Sequence, residues 1–389
     1  MLRRVAGPAA TELYLHCQPG ADPTGAREQA DAIYRAIVQA LVADGGNFGS
    51  VVSETVFLRD LPTSLEPVRA ARRDVVGGQR ATHDPAVIEV EQAPLEERAC
   101  LEVMVHAVLP HASTAARFES ITTPFTCGCA ECARAHGLLF YLGDESRFQA
   151  GGLCGAGRNA YEQTLDMFGH AEELLQRAGM GFSDVVRTWI HLRHMERDYP
   201  EFNRARREFF TARGIRPVPA STGIQGAPAS AAHDLCLGVY AVKSGRPPER
   251  TVMSSPTLNE AAEYGADFAR GMKVVETNKL ALHVSGTASI DEQGRTVHVG
   301  DFDAQADRML ENIAALLARQ GANFGNIVSA ITYLANPADA ARLRQKLREA
   351  GFEGFPHALV AATICRPDLL CETEALAVLP IGHEDALRR

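Results

Sequence analysis

Three side chains near the end of the chain, Cys365, Arg366 and Glu372, lie close together in ICRPDLLCETEALAVLP, Ile364 to Pro380, a polar loop running into a buried strand. Their types suit the handling of an organic acid. A planar guanidinium meets a carboxylate through two parallel hydrogen bonds, so Arg366 could hold one. Glu372 stands among Leu369, Leu370, Ala375, Leu376 and Val378, where an unneeded glutamate is costly and would tend to be apolar. Within hydrogen-bond reach of a substrate, and with a raised pKa, it could deliver a proton. Glu374 shares its strand parity and should face the same side. A thiol beside an arginine gains thiolate character and could act as nucleophile or proton carrier. Each residue also has a plainer reading: a solvated glutamate on an edge strand, an ion pair between Arg366 and Asp368, an inert buried cysteine.

Other candidates are more scattered. Arg270, in FARGM, is a second carboxylate clamp or a solvated arginine at a helix end. Ser285-Gly286-Thr287-Ala288 closes the run LALHVSG; a glycine there lets backbone N–H groups approach an anion or a developing oxyanion, unless the segment is an ordinary bulge. Tyr264 and Phe268 could line a ring-sized pocket or simply fill the core. His283, His298 and His357 are candidate proton carriers, although a lone histidine is more often structural. In TPFTCGCAECARAHGLLFYLG, Cys127, Cys129, Cys132 and His136 offer four soft ligands of the kind zinc favours. The spacing C-x-C is not that of a usual zinc knuckle, and a reduced cysteine-rich turn is the favoured reading.

The elements that must position these residues occur three times. REQADAIYRAIVQALVADGGNFGSVVSETVFLRDL, YEQTLDMFGHAEELLQRAGMGFSDVVRTWIHL and DAQADRMLENIAALLARQGANFGNIVSAITYL each give a helix stopping at glycine, a phenylalanine (Phe48, Phe182, Phe324) and then a strand. A second helical stretch follows each: LEPVRAARRDVV, YPEFNRARREFFTARG and PADAARLRQKLREAG. Each unit closes on strands ending in Ala-Val, at Ala107-Val108, Ala241-Val242 and Ala377-Val378. The order strand, strand, helix, strand, helix, strand, strand predicts an α+β plan with both helices on one face of a mixed sheet. Three such units could bury their open faces around a common axis. Linker-like stretches at His111 to Phe118 and Ser244 to Ser255 divide the chain into units 1–112, 113–246 and 247–389. Only the third has an arginine and a carboxylate together: at the place of Glu372 the first unit has Glu102 and the second Cys236, and at the place of Arg366 they have Glu96 and Ser230.

With 389 residues the chain exceeds the roughly 250 to 300 residues of a single core. A net charge of −9 argues against nucleic acid as a partner, which would need clustered Lys and Arg. No apolar run suggests a membrane span or secretory leader, and the nine cysteines are an odd count without such a leader, so a cytoplasmic protein without a disulfide framework is expected. Neither G-x-x-x-x-G-K-[ST] nor a convincing G-x-G-x-x-G is present, so no organic cofactor is implied.

The helix, Gly-Asn-Phe-Gly, strand unit and the terminal E-x-E-A-x-A-V resemble the Rid (YjgF) family of small enamine and imine deaminases, three times over nearly the whole chain. Members of that family are similar to chorismate mutase in fold and form trimers with sites between subunits. The resemblance thus implies three chorismate mutase-like units forming an intramolecular pseudo-trimer. Residues 120 to 380 hold a narrower resemblance. VRTWIHL, YPEFNRARREFF and PASTGI, then YGADFARGM, HVSGTASI, VHVGD and ICRPDLLCETEALAV, look like the chorismatases, which convert chorismate into pyruvate and an aromatic or dihydroaromatic acid.

That resemblance implies a single working site, built mainly by the third unit at its junction with the second. Glu372 would protonate the enolpyruvyl methylene of chorismate, Arg366 and Arg270 would hold carboxylates, and Gly286, Thr287, Phe268 and Tyr264 would complete the substrate site. Cys365 matches the type that makes 3-hydroxybenzoate, through an arene-oxide-like intermediate, rather than the hydrolytic type. No metal is required. The partner implied is a small carboxylate, and the protein would be a monomer or a low-order homo-oligomer. Two departures stand out: the arginine with which Rid deaminases hold their substrate is replaced by Pro356-His357-Ala358, and chorismatases read as two halves, which leaves residues 1–110 as an extra unit. The alternatives are a Rid-type enamine or imine deaminase and a non-catalytic small-molecule-binding module.

Overall fold

The computed structural model describes residues 1–381 apart from 21, 23, 79–82, 123–128, 131, 135, 245–249 and 260–266. Tyr264 and Cys127 therefore lie outside the described residues, as do positions 245–249 of the second linker.

The three repeats fold as three α+β units in the expected element order. The first runs β1 (Leu2–Ala6), β2 (Ala10–Cys17), α1 (Ala26–Ala43), β3 (Val51–Leu58), α2 (Leu61–Val76), β4 (Ala86–Glu91) and β5 (Leu101–Pro110). The second opens with an additional strand, β6 (Ala116–Thr122), then β7 (His136–Leu142), β8 (Glu145–Leu153), α3 (Ala160–Arg177), β9 (Val185–Leu192), α4 (Met195–Ala212), β10 (Ala220–Gln225), a short β11 (Ala227–Pro228) and β12 (Leu235–Ser244). The third likewise adds β13 (Arg250–Val252) before β14 (Gly271–Val275), β15 (Leu280–Ala288), α5 (Phe302–Ala318), β16 (Ile327–Leu334), α6 (Ala340–Glu349), β17 (His357–Ala361) and β18 (Cys371–Leu379).

The chain forms three six-stranded mixed sheets, one on each unit, the first made of five strands of its own and β11 of the second unit. The one parallel pair in each, β3 with β4, β9 with β10 and β16 with β17, is joined through the second helix, as a parallel crossover requires. β11 leaves its own unit to pair with β4 of the first. The first helices end at glycines in the left-handed region, Gly45, Gly179 and Gly321, with φ of 81°, 71° and 71°, where a Cβ would be strained. The turn after α1 and α5 is then held by an asparagine: Asn47 and Asn323 accept the N–H of Gly49 and Gly325 at 2.7 and 2.8 Å.

The helices cover one face of each sheet, α1 burying Ile33, Ile37 and Leu41 and α5 burying Met309, Ile313 and Leu317. The opposite faces of the three sheets share a central cavity, to which Tyr14 and His106 come from the first unit, Gln149 and Tyr240 from the second, and His283 and Glu374 from the third. One end of it carries a buried charge network contributed by all three. Arg147 is fully buried and pairs with Glu12, Glu145 and Glu276 at 3.0, 2.7 and 3.2 Å, and Lys279 joins Glu12 and the Tyr14 hydroxyl. Burial works to raise the pKa of Glu12, but Lys279 and Arg147 outweigh it and hold the group well below its ordinary value. Charges this deep persist only when paired, so the network fastens the units to one another and fixes their mutual setting.

Candidate active site

Where the second unit meets the third, a cleft of about 270 Å³ brings together Glu372, Arg366, Cys365, Arg270, Phe268 and Gly286. The two units are joined beside it by one backbone and one side-chain hydrogen bond: Ala269 N–H donates to the Pro219 carbonyl at 3.0 Å, and Ser221 N–H donates to Ser285 Oγ at 2.9 Å. The second unit also supplies Tyr199, Asn203, Arg206 and Arg207 from α4 and Ser221 and Gly223 from β10. Sequence reasoning did not single these out, although their motifs were in view. Tyr199, Asn203 and Arg206 stand at i, i+4 and i+7 on a helix whose buried residues include Phe202, Phe209 and Phe210. Polar residues in register with an apolar face were the signal available.

Glu372 is 5% exposed and makes no hydrogen bond or ion pair with the described residues. Its pKa is raised to about 8, by burial first and by Glu374 second, against the pull of Arg270, Arg187 and Arg366. The carboxyl thus carries its proton at neutral pH, as an acid catalyst must. Glu374 faces the same side of β18 yet reaches the central cavity instead. There its oxygens take Arg187 Nη2 at 2.9 Å, Trp189 Nε1 at 2.7 Å and the Tyr333 hydroxyl at 3.3 Å.

Gly286 has a different task from the one its sequence suggested. It lies in a bulge, where the register between β15 and β18 shifts from Val284 to Thr287. Its N–H is not open to an anion, because it donates to Thr222 Oγ1 at 3.0 Å. What the glycine provides is room: a Cβ there would stand 2.0 Å from Oε1 of Glu372. Thr287 does not line the cleft; it is buried, and its hydroxyl donates to the Ser285 carbonyl at 2.9 Å. Arg187 reinforces the same Thr222 oxygen at 2.6 Å, so the wall against which the Glu372 carboxyl rests is tied from both units.

Arg366 donates Nη1 to the Gly294 carbonyl at 2.7 Å. No ion pair joins it to Asp368, whose Oδ1 instead accepts from the Thr296 hydroxyl. Arg270 is buried, held by the Asn259 carbonyl and side chain at 3.0 and 3.1 Å, and lies over the Phe268 ring. Arg206 also lies over that ring, 5.6 Å from its centre, and donates to Asn203 at 2.7 Å. Arg207 is paired with Asp267 at 3.1 Å, but Arg206, Arg270 and Arg366 around a carboxyl that is neutral at pH 7 still make the cleft positive in a chain of net charge −9, a setting for a small anion. Cys365 is not the thiolate that its neighbour suggested. Burial first, and the charge of Glu372 second, push it up to about 12, against Arg366 and a hydrogen bond with Tyr199, so it enters any reaction as a neutral thiol.

The histidines do not reach the cleft. His283 lines the central cavity, where burial holds its pKa well below the ordinary value. His357 shares a 2.8 Å hydrogen bond with Thr332, and the carbonyl of His298 accepts from Gln305 ahead of α5.

The corresponding places in the other units lack the free carboxyl, although Cys236 of the second unit lines a cavity of about 530 Å³ that it shares with Arg69, Arg72 and Arg73 of the first. Glu102 is sealed by His16 Nε2 and Gln18 Nε2, both at 2.8 Å. Cys236 packs with Cys154, Cys132 and Cys129. His136, expected beside those thiols, instead faces the carbonyls of Asp84 and Pro85 at 3.2 and 3.0 Å, and the imidazole that meets Cys129 and Cys132 is that of His233.

No described helix is long and apolar enough to cross a membrane. Residues 130–239 and 266–379 match the family described as Endoribonuclease L-PSP. Over 264 residues the chain is 28% identical to a chorismatase of Streptomyces rapamycinicus, covering 61% of this chain and 74% of that one. It is 26% identical to a 3-hydroxybenzoate synthase of Streptomyces hygroscopicus over 275 residues, 64% of this chain and 78% of the relative. A solved chorismatase structure superposes with a TM-score of 0.62 at 16% identity, covering 95% of this chain and 99% of the other. The first unit, which read as an addition to a two-part fold, therefore has its counterpart in that fold.

Proposed function

The chain belongs to the Endoribonuclease L-PSP family, and from that premise we propose that it is a chorismatase-type enzyme, converting chorismate to pyruvate and a hydroxybenzoate in the cleft between its second and third units. The observation that carries this reading is the Glu372 carboxyl, protonated at neutral pH and set against Gly286 in a cavity walled by Arg206, Arg270 and Arg366. Chorismate is a dianion with one ring, and a cleft of this size and sign suits it.

In the proposed reaction Arg366 and Arg270 grip the carboxylates and orient the enol ether toward Glu372. Glu372 gives its proton to the methylene carbon. The positive charge shared by the neighbouring carbon and the ether oxygen weakens the bond from that oxygen to the ring, which breaks so that the ether oxygen leaves as the keto oxygen of pyruvate. The adjacent ring hydroxyl closes on the vacated ring carbon and returns a proton to Glu372, and the resulting arene oxide isomerises to the hydroxybenzoate. Pyruvate and hydroxybenzoate together hold all the atoms of chorismate, so this outcome consumes no water, whereas the hydrolytic outcome takes one up. Cys365, a neutral thiol between Arg366 and Tyr199, favours the first outcome by standing where a water would otherwise attack, and 3-hydroxybenzoate is the product we favour.

Incubation with chorismate, pyruvate being followed through lactate dehydrogenase and the ring product by chromatography, tests the reading. Equal amounts of pyruvate and 3-hydroxybenzoate are expected, with Cys365→Ala still releasing pyruvate but shifting the ring product toward the dihydroxy acid. Absence of pyruvate, with faster decay of 2-aminoacrylate, would replace this reading with the deaminase. Absence of both, with an aromatic acid still raising the melting temperature, would leave a binding module.

A further inference from the structure

The cysteine cluster of the second unit takes no part in the proposed reaction, and its geometry is that of a metal site. Sγ of Cys129 and Sγ of Cys132 stand 3.3 and 3.2 Å from Nε2 of His233, and all three ligand atoms lie within 4.8 Å of one another. Around a tetrahedral zinc, with Zn–S near 2.3 Å and Zn–N near 2.0 Å, sulfur and nitrogen ligands fall about 3.5 Å apart. We propose that Cys129, Cys132 and His233 bind a zinc ion.

Their surroundings are those of ligands rather than of idle thiols. Nδ1 of His233 faces the Gly155 carbonyl at 2.9 Å, which places the ring proton there and turns the Nε2 lone pair toward both sulfurs. Cys129 Sγ accepts the N–H of Cys132 at 3.2 Å and the Ser230 hydroxyl at 3.7 Å, donors that stabilise sulfur as thiolate. Cys132 is 2% exposed. Two thiolates and an imidazole form a donor set that selects zinc over harder cations.

The position explains why the second unit carries such a set. Cys236 occupies the place of Glu372. By strand pairing, Cys154 occupies that of Ala288, since Leu153 faces Leu237 as Thr287 faces Thr373. The ion would lie beside what would otherwise be a second catalytic cleft, between the first and second units. It joins the segment before β7 to the loop that carries Ser230 and His233, and so fixes a wall of that cleft.

Metal analysis of the purified full chain tests this directly. About one zinc per chain is expected, with sulfur and nitrogen in its first shell by X-ray absorption. Cys129→Ser, Cys132→Ser and His233→Ala should each lose most of the metal, whereas His136→Ala should keep it. Because losing a ligand can also prevent folding, the unaltered protein is stripped with a chelator and titrated with cobalt(II). Restored thermal stability with sulfur-to-cobalt charge-transfer absorption supports the site. A reduced, folded chain that takes up neither zinc nor cobalt overturns it, as does a disulfide between Cys129 and Cys132 or loss of metal in His136→Ala alone.

Discussion

Replacing Glu372 with glutamine separates the cost of a buried acid from its use. An ordinary glutamate gives up its proton near 4.5, and Glu372 near 8. Between those values the unfolded chain has lost a proton that the folded chain still holds, so folding stability declines as pH rises through that window. Below it the contribution is fully present, and above about 8 it is lost. A separation of this size corresponds to at most about 5 kcal/mol, at 1.36 kcal/mol for each pH unit. For a chain this long each kcal/mol moves the melting temperature by about 1 °C. Glu372→Gln keeps the shape and removes the titration, so it should melt up to about 5 °C above the unaltered protein at pH 9 and show little difference at pH 5. It should also lose about 10²- to 10⁴-fold in pyruvate release, because glutamine has no proton to deliver. In the unaltered enzyme the rate should fall as pH rises through about 8, as Glu372 gives up its proton. Calorimetry at both pH values and the coupled pyruvate assay check the two arms together. A variant that retains its rate, or that is less stable at pH 9, would show that Glu372 is an anion held by its arginines and not a stored acid.

Other perturbations follow from the same geometry. Gly286→Ala places a methyl group where Oε1 of Glu372 now lies; that atom ends a flexible side chain, so stability should change little, while displacement of the carboxyl costs about 100-fold in kcat. Arg366→Ala should raise KM more than it lowers kcat, with kcat/KM down about 10- to 100-fold in steady-state assays, as expected for losing a charged hydrogen bond of about 1.5 to 3 kcal/mol. Arg147→Met leaves Glu12, Glu145 and Glu276 without their shared cation; it should destabilise the chain by about 3 to 5 kcal/mol in denaturant titration.

The repeats, their element order and the mixed sheets were legible because their signals are local: a helical apolar stripe, a glycine where the chain must turn left-handed, an alternating strand. The meeting of Glu372, Arg366, Cys365 and Arg270 was legible in part, since three of the four share one loop and strand. The far wall of the cleft was not, because Asn203 and Arg206 approach through the packing of one unit on another, which no local pattern encodes. Gly286 shows the limit at a single residue: a glycine ending a strand signals close approach, but only the fold reveals that the approaching group is the Glu372 carboxyl. His136 shows the converse: it neighbours the thiols in sequence, whereas His233, distant in sequence, is the imidazole that meets them. Parity correctly put Glu372 and Glu374 on one side of β18, yet the bulge at Gly286 opens a cleft only at the first of them.

A crystal structure of the Glu372→Gln protein soaked with chorismate tests most directly the claim that one of three related clefts does the work. Electron density for the ligand is expected between the second and third units, with a carboxylate on Arg366 and the enolpyruvyl methylene facing residue 372. Ligand found instead in the central cavity, or beside Cys236 or Glu102, would contradict it.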